Sequence, residues 1–347
     1  MDIAPTTLRC RASVCVVLAA CNQPTTASVP LDHRLDIQQA RSAQPEAPTR
    51  FVVLGDGGKG NDGQRAVAAA VETVCGQQTD ALGPGCGFAL YLGDNIYDEG
   101  VLRVDDPLFE SHFEGPYAAL DFPFLVVLGN HDYGNTSLDA TRSDPQVAYT
   151  AHSKKWTLPA RFYDVALGPH QFLGLDTNAL LLEGLWGDSG QRQWLDERVQ
   201  ARTVDGWRVG FGHHPYRSNG FHGNAGNYEG LWWLPVVRGR TVETFFDDHA
   251  CGRMDVYFAG HDHNLQWLEP VCGTHLLVSG SAARPTPLEN RDQNPTWFSD
   301  DTGPGFIWVE LLGTEMTAVF HDAAGATLFR KTVSRIRPGE ADGRSAL

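Results

Sequence analysis

Five short, mainly apolar runs, each four or five residues long, are followed directly by a glycine. The runs are 51–54, 88–92, 124–128, 207–211 and 256–259. Short apolar runs with glycine at their ends are typical of buried strands. Stretches with a helical pattern lie among them, at 62–75, 105–112, 144–156, 189–201 and 235–250. Strands that alternate with helices predict an α/β fold.

Beyond Cys272 the pattern favours strands alone, at 274–279, 306–312, 316–320 and 327–333. Turn residues at 313–314 and 323–325 separate the last three runs and are typical of hairpins. The chain has 347 residues, of which 42% are hydrophobic, so it can bury one large core. We therefore predict one α/β domain over 50–337, a four-layer α/β/β/α sandwich of two mixed sheets flanked by helices.

Polar side chains with metal-binding atoms follow each of the first five runs. Open α/β sheets bind their ligands at the carboxyl ends of the strands, and these side chains lie there. Carboxylate, amide, phenol and imidazole groups suit Fe, Mn or Zn. Seven such donors are more than one ion needs, which predicts a two-metal site, and two-metal sites hydrolyse phosphate esters. The donors are Asp56, Asp94, Tyr97, Asn130, His213, His261 and His263.

The same five sites, in the same order, resemble the motifs of the calcineurin-like metallophosphoesterases, and within them the purple acid phosphatases. Longer strings resemble the small, tartrate-resistant type, and the resemblance covers residues 50 to 330. It implies the metallophosphoesterase sandwich and an acid phosphatase-like hydrolase. The motifs are Gly55-Asp56-Gly57-Gly58, Gly93-Asp94-Asn95-Ile96-Tyr97, Gly129-Asn130-His131-Asp132, Gly212-His213-His214-Pro215 and Gly260-His261-Asp262-His263.

The resemblance also implies how two metal ions divide the donors, with Asp94 as the bridge. Many relatives have a histidine ligand two residues after the aspartate of the first motif, where this chain has Gly58. Tyr97 can replace that ligand, and its phenolate favours a trivalent ion. Asp56, Tyr97 and His263 would complete an Fe(III) site, and Asn130, His213 and His261 a site for Fe(II), Zn or Mn.

Two histidines are expected to contact the substrate, a phosphate ester. The resemblance assigns phosphate contact to His131, with Asp132 orienting its ring as carboxylates beside metal sites often do. It assigns substrate binding and protonation of the leaving group to His222, nine residues after His213. His214 is expected either to support the metal ligands from behind or to form a wall of the pocket. The segment 219–230, a loop over 179–188, and 284–301 are expected to line its entrance.

The predicted reaction is the hydrolysis of phosphate monoesters by a metal-activated hydroxide, with an acidic pH optimum. Three alternatives remain open at this point. The same core also serves phosphodiesterases, since loops decide the choice of substrate. A non-catalytic metal-binding surface lipoprotein would belong to a different class, although the intact His131 argues against it. An iron pair at an open site could also carry a secondary redox role.

The first twenty residues predict a secretory signal of the lipoprotein type. Arg9 and Arg11 precede a short apolar stretch, which is too short to span a bilayer. Leu18-Ala19-Ala20-Cys21 resembles a bacterial lipobox, so Cys21 is expected to carry lipid. We expect a flexible tether over 21–49 and a loose tail over 338–347. The protein would be exported and anchored to a bacterial membrane, facing the periplasm or the cell surface; ordinary cleavage would instead secrete it.

Four cysteines remain in the predicted domain, and an even number in an exported chain indicates disulfides. Three pairings are possible, of which Cys75–Cys86 and Cys251–Cys272 are favoured because each closes a local loop. The formal net charge of −15 argues against a nucleic acid partner, because binding it needs a basic surface. The protein is expected to be a monomer that meets the membrane only through Cys21.

Overall fold

The computed structural model describes residues 47–336 except 135, 202–203, 229–237 and 290–292. The predicted signal, Cys21, nearly all of the predicted tether and the predicted tail lie outside the described residues. Within the described part of the chain, no helix combines the length and apolar character that crossing a bilayer requires.

Fourteen strands and five α-helices make up the described structure. In chain order the strands are β1 (Thr49–Leu54), β2 (Phe88–Tyr91), β3 (Phe124–Val126), β4 (Trp156–Thr157), β5 (Tyr163–Leu167), β6 (His170–Gly174), β7 (Arg208–Phe211), β8 (Val256–Ala259), β9 (Leu265–Val271), β10 (Thr274–Ser279), β11 (Thr296–Asp300), β12 (Gly305–Leu312), β13 (Glu315–Asp322) and β14 (Thr327–Ser334). The helices are α1 (Asp62–Gln77), α2 (Ser143–Tyr149), α3 (Thr177–Trp186), α4 (Gln191–Ala201) and α5 (Arg240–Phe245), which continues as a π-helical turn over Phe246–Ala250.

The strands form two seven-stranded mixed sheets. The first has the order β14-β13-β12-β1-β2-β3-β4 and the second the order β11-β9-β10-β8-β7-β6-β5. In the first sheet, β1 to β4 run parallel, whereas β12 pairs with β1 in the antiparallel direction. In the second sheet, β6, β7, β8 and β10 are parallel neighbours. The predicted pair of mixed sheets is confirmed.

The sheets pack face to face through aromatic side chains. The ring of Phe51 on β1 stacks on Phe88 with centroids 5.0 Å apart. It meets the edges of Phe172 and Phe258, from the second sheet, at 5.6 and 6.1 Å. A separate apolar cluster joins α3, α4 and α5 to the second sheet, while buried valines of α1 belong to the cluster of the first. Helices therefore cover the outer faces, as predicted.

Some predicted elements differ from the structure. The segment 179–188 is not a loop: most of it lies in α3, which begins where the Asp176 carboxylate accepts from the Ala179 N–H at 2.9 Å. The predicted helix over 144–156 ends at Tyr149, because Trp156 enters β4 beside β3 and is fully buried. In the segment 105–112, the regular helical part is a π-helical turn over Glu110–Glu114.

Candidate metal centre

The seven predicted donors lie in loops after β1, β2, β3, β7 and β8, at one edge of the paired sheets. Three of them, Asp56, Asp94 and His261, have positive φ angles of 59°, 51° and 68°. This left-handed conformation is uncommon for residues other than glycine and is concentrated at functional sites. Because the chain reverses sharply at these residues, their side chains can point towards the donors of the neighbouring loops.

One group of donors contains Asp56, Tyr97 and His263, all buried. The Tyr97 hydroxyl lies 3.3 Å from Asp56 Oδ1 and 3.1 Å from His263 Nε2. His263 Nε2 in turn lies 3.3 Å from the same Asp56 oxygen. Burial, followed by the charges of Asp94 and Asp56, raises the pKa of Tyr97 well above its usual value. A cation in this triangle would oppose both effects and favour the phenolate.

The second group contains Asn130, His213 and His261. His213 Nδ1 lies 2.9 Å from the carbonyl oxygen of Leu92, which can only accept, so Nδ1 carries a hydrogen. Nε2 of the neutral ring therefore presents its lone pair. That atom lies 2.9 Å from Asn130 Oδ1, 3.1 Å from His261 Nδ1 and 3.5 Å from Asp94 Oδ1.

Either a shared hydrogen or a cation between these atoms would make their close approach favourable. Burial alone would lower the pKa of His213, but the Asp94 and Asp56 carboxylates raise it. The carboxylates therefore favour either a second proton on the His213 ring or a cation beside it. Metal–ligand bonds of about 2.1 Å place neighbouring ligand atoms about 3.0 Å apart in an octahedral shell and about 3.4 Å apart in a tetrahedral one. The observed spacings match these values.

Asp94 lies between the two groups. One oxygen of Asp94, one of Asp56 and one nitrogen of His213 lie within 4.8 Å of one another, so they could share an ion. The residues present therefore fit two cations, with the Asp94 carboxylate common to both. Gly129 permits this arrangement, because a Cβ atom there would overlap the Asp94 carboxylate.

His214 is buried beside the second group and does not line the cavity of the site, so it supports the donors and does not form a wall of the pocket. Its ring centroid is 4.5 Å from that of His261, and its Nδ1 is 2.9 Å from the Thr177 hydroxyl. Burial, together with the neighbouring His213, lowers its pKa well below the usual value, so the ring is neutral. One of its nitrogens also lies within 4.8 Å of nitrogens of His213 and His261.

His131 faces the site from the loop after β3, and its ring is about one third exposed. Its backbone N–H donates to Asp94 Oδ1 at 2.9 Å, and its Nδ1 lies 2.6 Å from the Asp98 carbonyl oxygen. The ring also packs against Tyr97, with centroids 4.5 Å apart. Its Nε2, 4.0 Å from Asp94 Oδ2, is therefore the nitrogen directed at the donors.

Asp132 does not orient the His131 ring, contrary to expectation. Its buried carboxylate accepts from the Gly129 N–H at 2.8 Å, the Asn95 N–H at 3.1 Å and the Gln146 side chain at 3.0 Å. Burial, then the negative charge of Asp94, raises its pKa to about 7. The Asp132 carboxylate therefore holds the loop that carries Asp94 in place. The Asp98 carbonyl, and not Asp132, orients the His131 ring.

His222 covers the other side of the second donor group. Its ring stacks on His261 with centroids 3.9 Å apart and an angle of 30° between the planes. His131 and His222 both line one cavity of about 370 Å³. Phe221 and Arg284 contribute to its rim from the segments expected at the entrance, whereas no residue of α3 lines it. The other lining residues are Asp94, Asn130, His261, His263, Thr286, Pro287 and Glu289.

Lys59 is a neighbour of the site that the sequence analysis did not single out. Its ammonium lies 3.5 Å from the centroid of the Tyr97 ring and 3.5 Å from Asp98 Oδ1. Burial, followed by repulsion from Arg284, lowers its pKa. The available signal in the sequence was its position directly after Gly58, the last residue of the first motif.

Both favoured disulfides are present. Cys75 at the end of α1 joins Cys86 with Cα atoms 5.2 Å apart, and Cys251 joins Cys272 with Cα atoms 5.8 Å apart. Neither contributes to the donor groups.

Comparisons with known proteins agree with this geometry. The family of calcineurin-like phosphoesterases matches residues 49–265. The tartrate-resistant acid phosphatase type 5 of Mus musculus is 29% identical over 326 residues, which cover 84% of this chain and 92% of that protein. Purple acid phosphatase 4 of Arabidopsis thaliana is 26% identical over 321 residues, covering 84% and 85%.

Solved structures show the same fold at low sequence identity. A purple acid phosphatase from yellow lupin (Lupinus luteus) superposes with a TM-score of 0.61 at 16% identity, covering 84% of this chain and 54% of that one. GAP50, described as the anchor in the inner membrane complex of Plasmodium, superposes with a TM-score of 0.64 at 19% identity, covering 85% and 91%. The chain therefore belongs to the calcineurin-like phosphoesterase family, as a hydrolase similar to the tartrate-resistant and purple acid phosphatases that acts on phosphate esters at a dinuclear metal centre.

Proposed function

We propose that the protein is an acid phosphatase specific for phosphate monoesters, with Fe(III) in one position and Fe(II), Zn or Mn in the other. Asp94 would bridge the ions. The hard phenolate of Tyr97 supports a trivalent ion in its group. When bound, the ions supply Lewis acidity and a water-derived nucleophile. The proposed ligands are Asp56, Tyr97 and His263 for Fe(III), and Asn130, His213 and His261 for the second ion.

The observation that carries this proposal is the joint position of His131 and His222 at one cavity with the donor groups. With His131 Nδ1 engaged by the Asp98 carbonyl, only Nε2 can reach a phosphoryl oxygen. His222 lines the same cavity and would deliver a proton to the leaving oxygen.

The local charges support a monoester as substrate. A monoester carries more negative charge than a diester, and the cations Lys59 and Arg284 lie close to the donors. This local attraction is needed because the chain as a whole carries a formal charge of −15.

The test compares kcat/KM for nitrophenyl phosphate and bis-nitrophenyl phosphate at pH 5 and pH 7, with the metal content measured on the same sample. We expect at least a tenfold preference for the monoester, on the order of what one lost charged contact is worth, and a higher rate at pH 5. Preference for the diester would overturn the substrate class while leaving the metal assignment intact. An iron-free, fully active protein would overturn the metal assignment alone.

We also infer that the protein is exported and held at a membrane by lipid on Cys21. Two disulfides in the described domain support an oxidising compartment. Release of the Cys21→Ala protein from the membrane fraction would support the anchor, and unchanged fractionation would refute it. We further propose a monomer without nucleic acid partners, to be checked by light scattering and by a DNA-binding titration.

A further inference from the structure

The loop 218–224, which carries His222 and Phe221 to the cavity, contains no helix or strand. Its inner side rests on Asp262, which follows β8, and on Gln266 of β9. The Ser218 hydroxyl donates to Asp262 Oδ2, and the His222 N–H donates to Asp262 Oδ1 at 2.9 Å. The Asn219 N–H donates to Gln266 Oε1 at 2.8 Å. These contacts fix how far the loop lies from His261 and His263, the proposed metal ligands on either side of Asp262.

The contact between the loop and Asp262 is unusually close. At Gly220, a Cβ atom would overlap the Asp262 carboxylate and lie 2.6 Å from its Oδ2. The Gly220 N–H also donates to the Ser218 hydroxyl at 3.0 Å. The Asp262 carboxylate therefore leaves no space for the backbone at Gly220 to move further inwards.

Among the residues that the structure describes, Asn294 holds the outer side of the loop. Its side-chain nitrogen lies 3.0 Å from the Ser218 carbonyl oxygen, 2.9 Å from Asn219 Oδ1 and 2.9 Å from Asn224 Oδ1. Its backbone N–H donates to Asn219 Oδ1 at 2.8 Å, and its carbonyl oxygen accepts from Asn219 Nδ2 at 2.8 Å. Asn294 thus contacts both the start and the end of the turn that presents His222.

Asn294 does not line the described cavity, so any effect on substrate must pass through the loop. We propose that Asn294 is a positioning residue that fixes the His222 ring over His261 and towards the leaving group of the substrate. This inference rests on the proposed role of His222. Ordering a loop without regular structure costs conformational entropy. The hydrogen bonds that Asn294 makes at both ends of the turn offset this cost.

The test is a double-mutant cycle in kcat/KM with Asn294→Ala, His222→Ala and the double variant, with nitrophenyl phosphate as substrate. We expect Asn294→Ala to lower kcat/KM about tenfold, as residues that orient groups around a metal site do. In the His222→Ala background, the same change should have almost no effect. Metal content should stay the same, and inhibition by inorganic phosphate, which has no leaving group, should stay within about twofold because the ligands do not move.

Gln171→Ala is the matched control, since Gln171 is a buried amide on β6 that bonds to Arg208 at 3.0 Å away from the cavity. It should lower the melting temperature while leaving kcat/KM unchanged. If His222→Ala is impaired and Asn294→Ala is fully active, or if their losses multiply, the inference is overturned and the role of His222 stands. If His222→Ala is itself fully active, the proposed role of His222 fails, and the inference falls with it.

Discussion

Gly58 offers the sharpest test of how the site is built. It occupies the place where many relatives have a histidine ligand, and the loop that carries Tyr97 packs directly on it. A Cβ atom at Gly58 would overlap the carbonyl oxygen of Asn95 and lie 2.6 Å from the backbone nitrogen of Ile96. The Tyr97 N–H donates to the Gly58 carbonyl at 2.8 Å, and the Gly58 N–H donates to the Asp94 carbonyl at 3.2 Å. The change Gly58→Ala must therefore displace the backbone that carries Asp94 and Tyr97.

The cost follows from the atoms that would collide. Overpacking costs about 1–3 kcal/mol, and here both partners are backbone, which cannot rotate away, so we expect about 3 kcal/mol. In a domain of this size each kcal/mol lowers the melting temperature by about 2–4 °C, so the decrease should be about 6 °C or more. Metal content should also decrease, because the displaced loop carries Asp94 and Tyr97, two of the proposed ligands.

The assay is thermal unfolding together with metal analysis of Gly58→Ala and of a matched variant, Gly76→Ala. Gly76 lies in α1, and a Cβ atom there would meet nothing within 4 Å. Alanine is the better helix former by about 0.8–1 kcal/mol, so this control should be as stable as the parent protein or more so. A Gly58→Ala protein with the parent melting temperature and full metal content would refute the reasoning.

Three further changes test other parts of the molecule. His131→Ala should lower kcat about 100-fold with full metal content, because the ring faces the phosphate without belonging to a donor group; loss of metal would contradict this position. Burial lowers the pKa of His170 to about 4, and its Nδ1 accepts from the Trp207 N–H at 2.9 Å. The protein should therefore lose up to about 3 kcal/mol of stability as pH falls from about 6.5 to 4. His170→Asn should abolish most of this loss when urea unfolding is measured at pH 7 and pH 4.5. An equal loss of stability in the variant and the parent protein would show that His170 does not cause it. Lys59→Met removes the cation 3.5 Å from the Tyr97 ring. With the proposed iron bound, it should move the absorption band of the phenolate–Fe(III) pair to longer wavelength, whereas an unmoved band would show that the ammonium does not act on the phenolate.

The sequence predicts the two sheets well where strands end in glycine. The runs before Gly55, Gly93 and Gly129 are recognisable because they are continuously apolar, as strands covered on both faces must be. The strands β4, β5, β6, β9 and β11 escape this reasoning. In β6, the polar side chains of His170 and Gln171 are buried because Trp207 and Arg208 satisfy them across the sheet, which no local pattern can reveal.

The direction of side chains is the part of the site that the sequence cannot supply. Asn130, His131 and Asp132 are consecutive, but the single 3₁₀ turn that begins after Asn130 sends their side chains to a donor group, the cavity and a buried loop respectively. The role expected for Asp132 was wrong for this reason. The contacts of Asn294 join residues about 70 positions apart in the chain, so they too appear only in the folded structure.

The carboxylates of the site are held by the backbone before any ion is considered. Asp56 Oδ2 accepts from the His261 N–H at 2.9 Å, and Asp94 Oδ1 accepts from the His131 N–H at 2.9 Å. Each carboxylate is therefore fixed by a different loop of the site, and the left-handed conformations of Asp56, Asp94 and His261 are held in place by these bonds. The donors are therefore coupled through the backbone, so a shift of the loop that carries His131 or His261 would also move a carboxylate of the site.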